Sequence, residues 1–92
     1  MKILYTPESI DDLTRLRKFI QVKNPEAASR IAKSIIKGIS QLKTFPYIGV
    51  EVRQSPNPEV IRDLIIGNYV VRYLIKSEEI NILRVWHHRE DR

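Results

Sequence analysis

The sequence contains no cysteine, which excludes thiol catalysis, thiolate metal ligation and disulfide stapling. No apolar run approaches the ~18 residues needed to cross a bilayer. The opening stretch Met1-Lys2-Ile3-Leu4-Tyr5 lacks the long apolar segment of a secretion signal. Glycine occurs only three times and never as a phosphate-binding loop, and no serine sits in a nucleophile-like turn. The two histidines are adjacent, His87-His88, too close for a standard metal pair, and no acid-rich cluster supplies further ligands. The expectation is a soluble, cytoplasmic protein with no metal and no cofactor.

Acidic residues are also scarce where it matters. The net charge is +5, and between Leu13 and Val50 eight basic residues (Arg15, Arg17, Lys18, Lys23, Arg30, Lys33, Lys37, Lys43) face one acid, Glu26. An excess of that size points to acidic partners, although a solvated helix face has the same look. Ninety-two residues make one domain over positions 1–92, with no room for a second core.

What is present reads as alternating helix and strand patterns. Lys2 to Tyr5 favours a short strand. Thr6-Pro7-Glu8 is a helix start: a hydroxyl cap, a proline in the first turn and an acid near the positive dipole end. Ile10, Leu13, Leu16 and Ile20 then fall at helical spacing. Asn24-Pro25-Glu26 repeats the start signal, and Ala28, Ile31, Ile35, Ile39 and Leu42 step by three and four. The link is so short that the two helices must form an antiparallel hairpin. That hairpin geometry is not a helix-turn-helix. Thr44 to Glu59 holds three of the five prolines and reads as a long loop pinned by Phe45, Tyr47 and Ile48.

The remainder is β. Val60–Ile66 and Tyr69–Lys76 flank a Gly67-Asn68 turn, and Ile80 to Trp86 or His87 forms the last strand. The order is β-α-α-β-β-β, an α+β fold with a helical hairpin covering one face of a small antiparallel sheet. Strict alternation places Ile80, Ile82, Arg84, Trp86 and His88 on one side of the final strand and His87 on the other. Arg62, Arg72 and Arg84 are then expected to converge with Trp86 and His88 on the open face. Guanidinium groups suit phosphate, the indole offers a stacking surface, and an imidazole can shuttle protons. The plainer reading pairs each arginine with a nearby acid such as Asp63, and packs Trp86 into the core.

These residues also carry a resemblance. Asp12-Leu13, Asn24-Pro25-Glu26-Ala27-Ala28, Leu42-Lys43-Thr44-Phe45-Pro46-Tyr47-Ile48-Gly49, Ile61-Arg62-Asp63-Leu64, Gly67-Asn68-Tyr69-Val70-Val71-Arg72-Tyr73 and Ile82-Leu83-Arg84-Val85-Trp86-His87 together resemble the RelE/ParE superfamily of type II toxin–antitoxin toxins over nearly the whole length. The Asn-Pro-x-Ala-Ala start and the Phe-Pro-x-Ile-Gly loop look more like the ParE branch. The resemblance implies a growth-inhibiting toxin neutralised by a cognate ParD-like or RelB-like antitoxin, with Leu13, Leu16, Ile20, Arg30, Lys33 and Lys37 as antitoxin contacts. A ParE-like member poisons DNA gyrase without chemistry of its own, through a target-binding surface of Arg62, Arg72, Arg84, Trp86, His87 and His88. The alternatives are a RelE-like endoribonuclease, acting on the ribosome and messenger RNA through Arg62, Arg84 and His87, and a non-toxic binding module on the same fold. Neither a membrane nor a metal is implied.

Overall fold

A computed structural model describes residues 1–90. Strand β1 (Lys2–Tyr5) leads directly into α1 (Pro7–Lys23), and α2 (Pro25–Ser40) follows with a single residue between them. Asn24 ends one helix and caps the next: its N–H donates to the Ile20 carbonyl at 2.8 Å, and its Oδ1 accepts the Ala27 N–H at 3.1 Å. A side-chain cap of this kind contributes about 1 kcal/mol. Thr6 Oγ1 does the same for α1, accepting the Ser9 N–H at 3.1 Å. A short helical turn (Gln41–Lys43), the two-residue β2 (Val50–Glu51), β3 (Ile61–Ile66), β4 (Tyr69–Ile75) and β5 (Glu79–His87) complete the chain.

The strands form one sheet in the order β1-β5-β4-β3-β2. β2 to β5 pair antiparallel, as their short connections require, and Gly67 takes a left-handed φ of 58° in the β3–β4 turn. The sheet is nevertheless mixed, because β1 lies parallel to β5, with Tyr5 opposite Ile82. The hairpin carries the chain to β2 at the far edge, and the antiparallel strands return from there, so β5 arrives beside β1 in the same direction. A strand of four residues carries no pattern that names its partner. Leu16, Ile35, Ile39 and Leu42 from the helices meet Leu64, Val71, Tyr73, Ile75, Ile80, Ile82 and Val85 from the sheet in one core.

One departure from regular alternation reorganises the site. Tyr73 pairs with Ile82, but the next residue, Arg72, pairs with Arg84, so Leu83 is an extra residue in β5. This β-bulge moves every later side chain to the other face relative to strict alternation. Ile80, Ile82 and Val85 all face the helices, whereas Arg84 and Trp86 face away. Without Leu83 as a bulge, either Ile82 or Val85 would leave the core.

Candidate functional site

The outer face of the sheet brings Asp63, Arg72 and Arg84 side by side on β3, β4 and β5. Two arginines directly across a strand pair repel unless each has its own anion. Each does. Arg72 holds Asp63 with two parallel bonds, Nε to Oδ1 at 2.8 Å and Nη2 to Oδ2 at 3.0 Å. Arg84 holds Asp12 in the same way, at 2.7 and 3.0 Å. The hydrogen bond to Asp63 raises the Arg72 pKa above its ordinary value, partly opposed by burial, and the bond to Asp12 does the same for Arg84. The two guanidinium groups thus meet a visitor with their charge already balanced.

Asp12 reaches Arg84 because α1 takes over the edge of β5 where β1 stops. Beyond the Tyr5–Ile82 pair, Thr6 Oγ1 donates to the Ile82 carbonyl at 2.8 Å, with the Leu83 carbonyl at 3.1 Å. Two turns later the Asp12 carboxylate accepts the Val85 N–H at 2.9 Å. Helical side chains therefore satisfy backbone groups that a longer β1 would have paired. Asp12 lies four residues before Leu16, on the buried line of α1, and an acid in that position must be paired. That spacing was the signal for its role.

The remaining predicted residues do not join this face as one set. Trp86 is on it but only 7% exposed, opposite Val70, with the Arg72 guanidinium 5.0 Å above its ring. It packs there and is not an open stacking platform, and the outer face is not bare. His87 points to the helix side, where its ring meets Tyr69 edge-on at 5.2 Å and its Nδ1 accepts the Arg89 N–H at 3.1 Å. His88 stacks on His87 at 4.7 Å, and its Nδ1 lies 3.2 Å from the Asn68 carbonyl oxygen.

Arg62 also lies on the helix side, opposite Tyr73, so it does not converge with Arg72 and Arg84. There it holds the 44–59 loop by its backbone. Nε donates to the Glu59 carbonyl at 2.9 Å, and Nη1 donates to the carbonyls of Gly49 at 3.0 Å and Tyr47 at 3.2 Å. Tyr73 completes the clamp from inside the core: its hydroxyl donates to the Pro46 carbonyl at 2.7 Å and accepts the Gly49 N–H at 2.9 Å. Burial pushes the Tyr73 phenol pKa up, opposed by that N–H. The expected anchors Phe45, Tyr47 and Ile48 instead point outward, because two side chains beneath the loop grip its main chain. Strand spacing puts the Cα atoms of Arg62 and His87 roughly 16 Å apart, and Arg84 faces the other way. These three do not form a catalytic constellation.

The helical hairpin holds the expected antitoxin-contact residues together. Leu13, Leu16 and Ile20 of α1 and Ala28, Ile31 and Ile35 of α2 line a cleft of ≈ 240 Å³. Leu16 forms its floor, and Arg17 and Ile36 border it. Arg30, Lys33 and Lys37 are exposed and follow one another at spacings of three and four along the outer ridge of α2. Among the described residues, none of these three, nor Arg17, Lys18 or Lys43, has a carboxylate within ion-pair distance. Among the described residues, much of the unpaired positive charge thus lies on the hairpin, while Arg62, Arg72 and Arg84 of the sheet each face a carboxylate. No group of acids and histidines suited to a metal occurs among the described residues, and no helix there is long and apolar enough to cross a membrane.

These elements make a two-layer α+β domain with an apolar cleft and a cationic ridge on the helical side and a charge-balanced outer sheet face. The sequence matches the family described as the ParE toxin of the type II toxin–antitoxin system parDE over residues 3–92, and the chain belongs to that family. A solved structure described as the chromosomal ParDE TA system from P. aeruginosa shares the fold with a TM-score of 0.79 and 21% identity, over 95% of each chain. A search of curated proteins found no match.

Proposed function

We propose that this ParE-family chain inhibits growth by binding DNA gyrase and that a cognate antitoxin silences it by occupying the helical hairpin. The observation carrying the non-enzymatic reading is the separation of Arg62, Arg84 and His87. One clamps a loop, one is locked to a carboxylate on the outer face, and one packs against Tyr69 on the other face. General acid–base work on RNA needs such groups within hydrogen-bond reach of one reacting centre. The purified chain should inhibit supercoiling by gyrase and trap cleaved DNA, while leaving ribosome-bound transcripts intact. Transcript cutting without any effect on gyrase would reverse the assignment.

The antitoxin reading rests on the cleft and its charged border. An amphipathic acidic segment would lay apolar side chains over Leu13, Leu16 and Ile20 and set its carboxylates beside Arg30, Lys33 and Lys37. These exposed cations act through long-range attraction, which accelerates encounter and is screened by salt. Changing Arg30, Lys33 and Lys37 together to Glu should slow association with the antitoxin by about tenfold or more at low ionic strength. The gap from the wild type should narrow as salt rises. Stopped-flow rates that are equal for both proteins at low salt would remove the ridge from the interface.

A further inference from the structure

The 44–59 loop is held from below and displays apolar side chains above. Phe45 is 59% exposed, Tyr47 58%, Ile48 44% and Val50 65%. Ile48 lines a shallow cleft with Leu64, Ile65 and Ile66, and Ile65 is itself 58% exposed. Val50 pairs with Asp63, two residues before Ile65, so both side chains stand on the same face of the sheet edge. Exposed large apolar side chains gathered on one loop and the edge strand beside it, in a domain this small, are the kind of surface that another molecule covers.

Its rigidity is the second observation. Four hydrogen bonds, two from Arg62 Nη1 and two at the Tyr73 hydroxyl, fix the main chain of Pro46, Tyr47 and Gly49. The Arg62 guanidinium also lies 5.0 Å from the Tyr47 ring centre and supports it. Fixing the main chain in advance removes part of the entropy cost that binding would otherwise carry. The third observation is charge. Lys37 borders the same cleft, while Lys43 and Arg53 flank the exposed stretch, and none of the three has a carboxylate partner among the described residues. Two acids adjoin the patch in the strands, and both are paired: Glu51 faces Arg62 at 3.5 Å and Asp63 is held by Arg72 at 2.8 Å.

The geometry points to this loop and β-edge as the surface with which the toxin grips its protein target, a partner offering an apolar hollow bordered by carboxylates. The patch shares no lining residue with the cleft between α1 and α2, and only Lys37 borders both surfaces. It rests on the reading of the chain as a target-binding toxin, but not on gyrase being that target.

The test uses two variants of the full chain, Phe45→Ser with Ile65→Thr, and Val50→Thr with Ile65→Thr. The second keeps β-branched residues on the strands. Each is induced in cells, and each purified protein is assayed for thermal midpoint, mass in solution and affinity for the cognate antitoxin. The proposal expects folded monomers with antitoxin affinity within about twofold of wild type and survival on induction raised at least about 30-fold, as for loss of an interface hot spot. Undiminished growth inhibition by either folded variant overturns it. Loss of antitoxin affinity assigns the patch to the antitoxin, and a wild-type dimer that both variants dissolve assigns it to a second copy; either result overturns the proposal. A wild type that does not slow growth fails the toxin reading and this inference together. A wild type that slows growth without touching gyrase fails only the gyrase assignment, and the variants still read the patch.

Discussion

Asp12→Ala should lower the stability of this protein by about 3 kcal/mol, a large share of what a domain of this size possesses. With a urea slope of about 1 kcal/mol per molar, the unfolding midpoint falls by about 3 M. The Asp12 side chain is 5% exposed and accepts from three donors, the Val85 N–H and two nitrogens of Arg84. Alanine leaves the buried Val85 N–H on the edge of β5 without its acceptor. Asp12→Asn keeps one oxygen for that N–H and should fall between wild type and alanine. Arg84→Met should cost less than Asp12→Ala, because the arginine side chain is 41% exposed and the Asp12 carboxylate keeps both Val85 and the Arg15 guanidinium at 3.7 Å. Equal midpoints for Asp12→Ala and Arg84→Met would show that the Val85 bond contributes nothing.

Gly49→Ala should detach the 44–59 loop. A Cβ at that position would stand 2.6 Å from the Tyr73 hydroxyl, 2.8 Å from its ring and 3.0 Å from the Asp63 carbonyl oxygen. Tyr73 is fully buried and the Asp63 oxygen belongs to a sheet strand, so neither can retreat. Overpacking of this kind costs about 2 kcal/mol. The local effect is expected to exceed the global one, since Arg62 and Tyr73 bind the loop through the backbone that alanine displaces. Arg53, exposed within the loop, gives a direct readout: trypsin should cleave after it about tenfold faster in the variant, following the rise in open population. Tyr73→Phe removes the hydroxyl that the new methyl would strike, but also the acceptor for the Gly49 N–H. The double substitution should therefore cost less than the sum of the two single ones. Strict additivity would mean that the loop and Tyr73 are not coupled.

The helices were legible because their signals are local. Thr6-Pro7 and Asn24-Pro25 cap and start helices whatever surrounds them, and both caps are formed. The apolar steps through α2 set its buried face, with Ile35 and Ile39 almost fully enclosed. The β3–β4 turn was equally clear, since a two-residue connection with Gly67 leading permits few other shapes. The site was less legible. Regular alternation misplaced Arg84 and Trp86 relative to Ile80 and Ile82, because a bulge leaves no mark in a run where Leu83 and Val85 are both apolar. Arg62 looked equivalent to Arg72, yet cross-strand register sends one toward the helices and the other away from them. The exposed Phe45 and Tyr47 read as core residues, since composition cannot reveal that Tyr73 grips the loop by its carbonyl and amide groups.

The sequence by itself determined the two helices, four of the five strands, their order and the hairpin, which depend on neighbours a few positions apart; β2 (Val50–Glu51) lay inside the segment read as a loop, since two residues carry no strand pattern. Only the tertiary structure decided that β1 runs parallel to β5, that Asp12 and not a nearer acid neutralises Arg84, and that the sheet's arginines are balanced while the cations along α2 are not. Those outcomes are set by register and by packing between residues more than seventy positions apart. One extra residue in β5 is enough to turn a side chain from solvent to core.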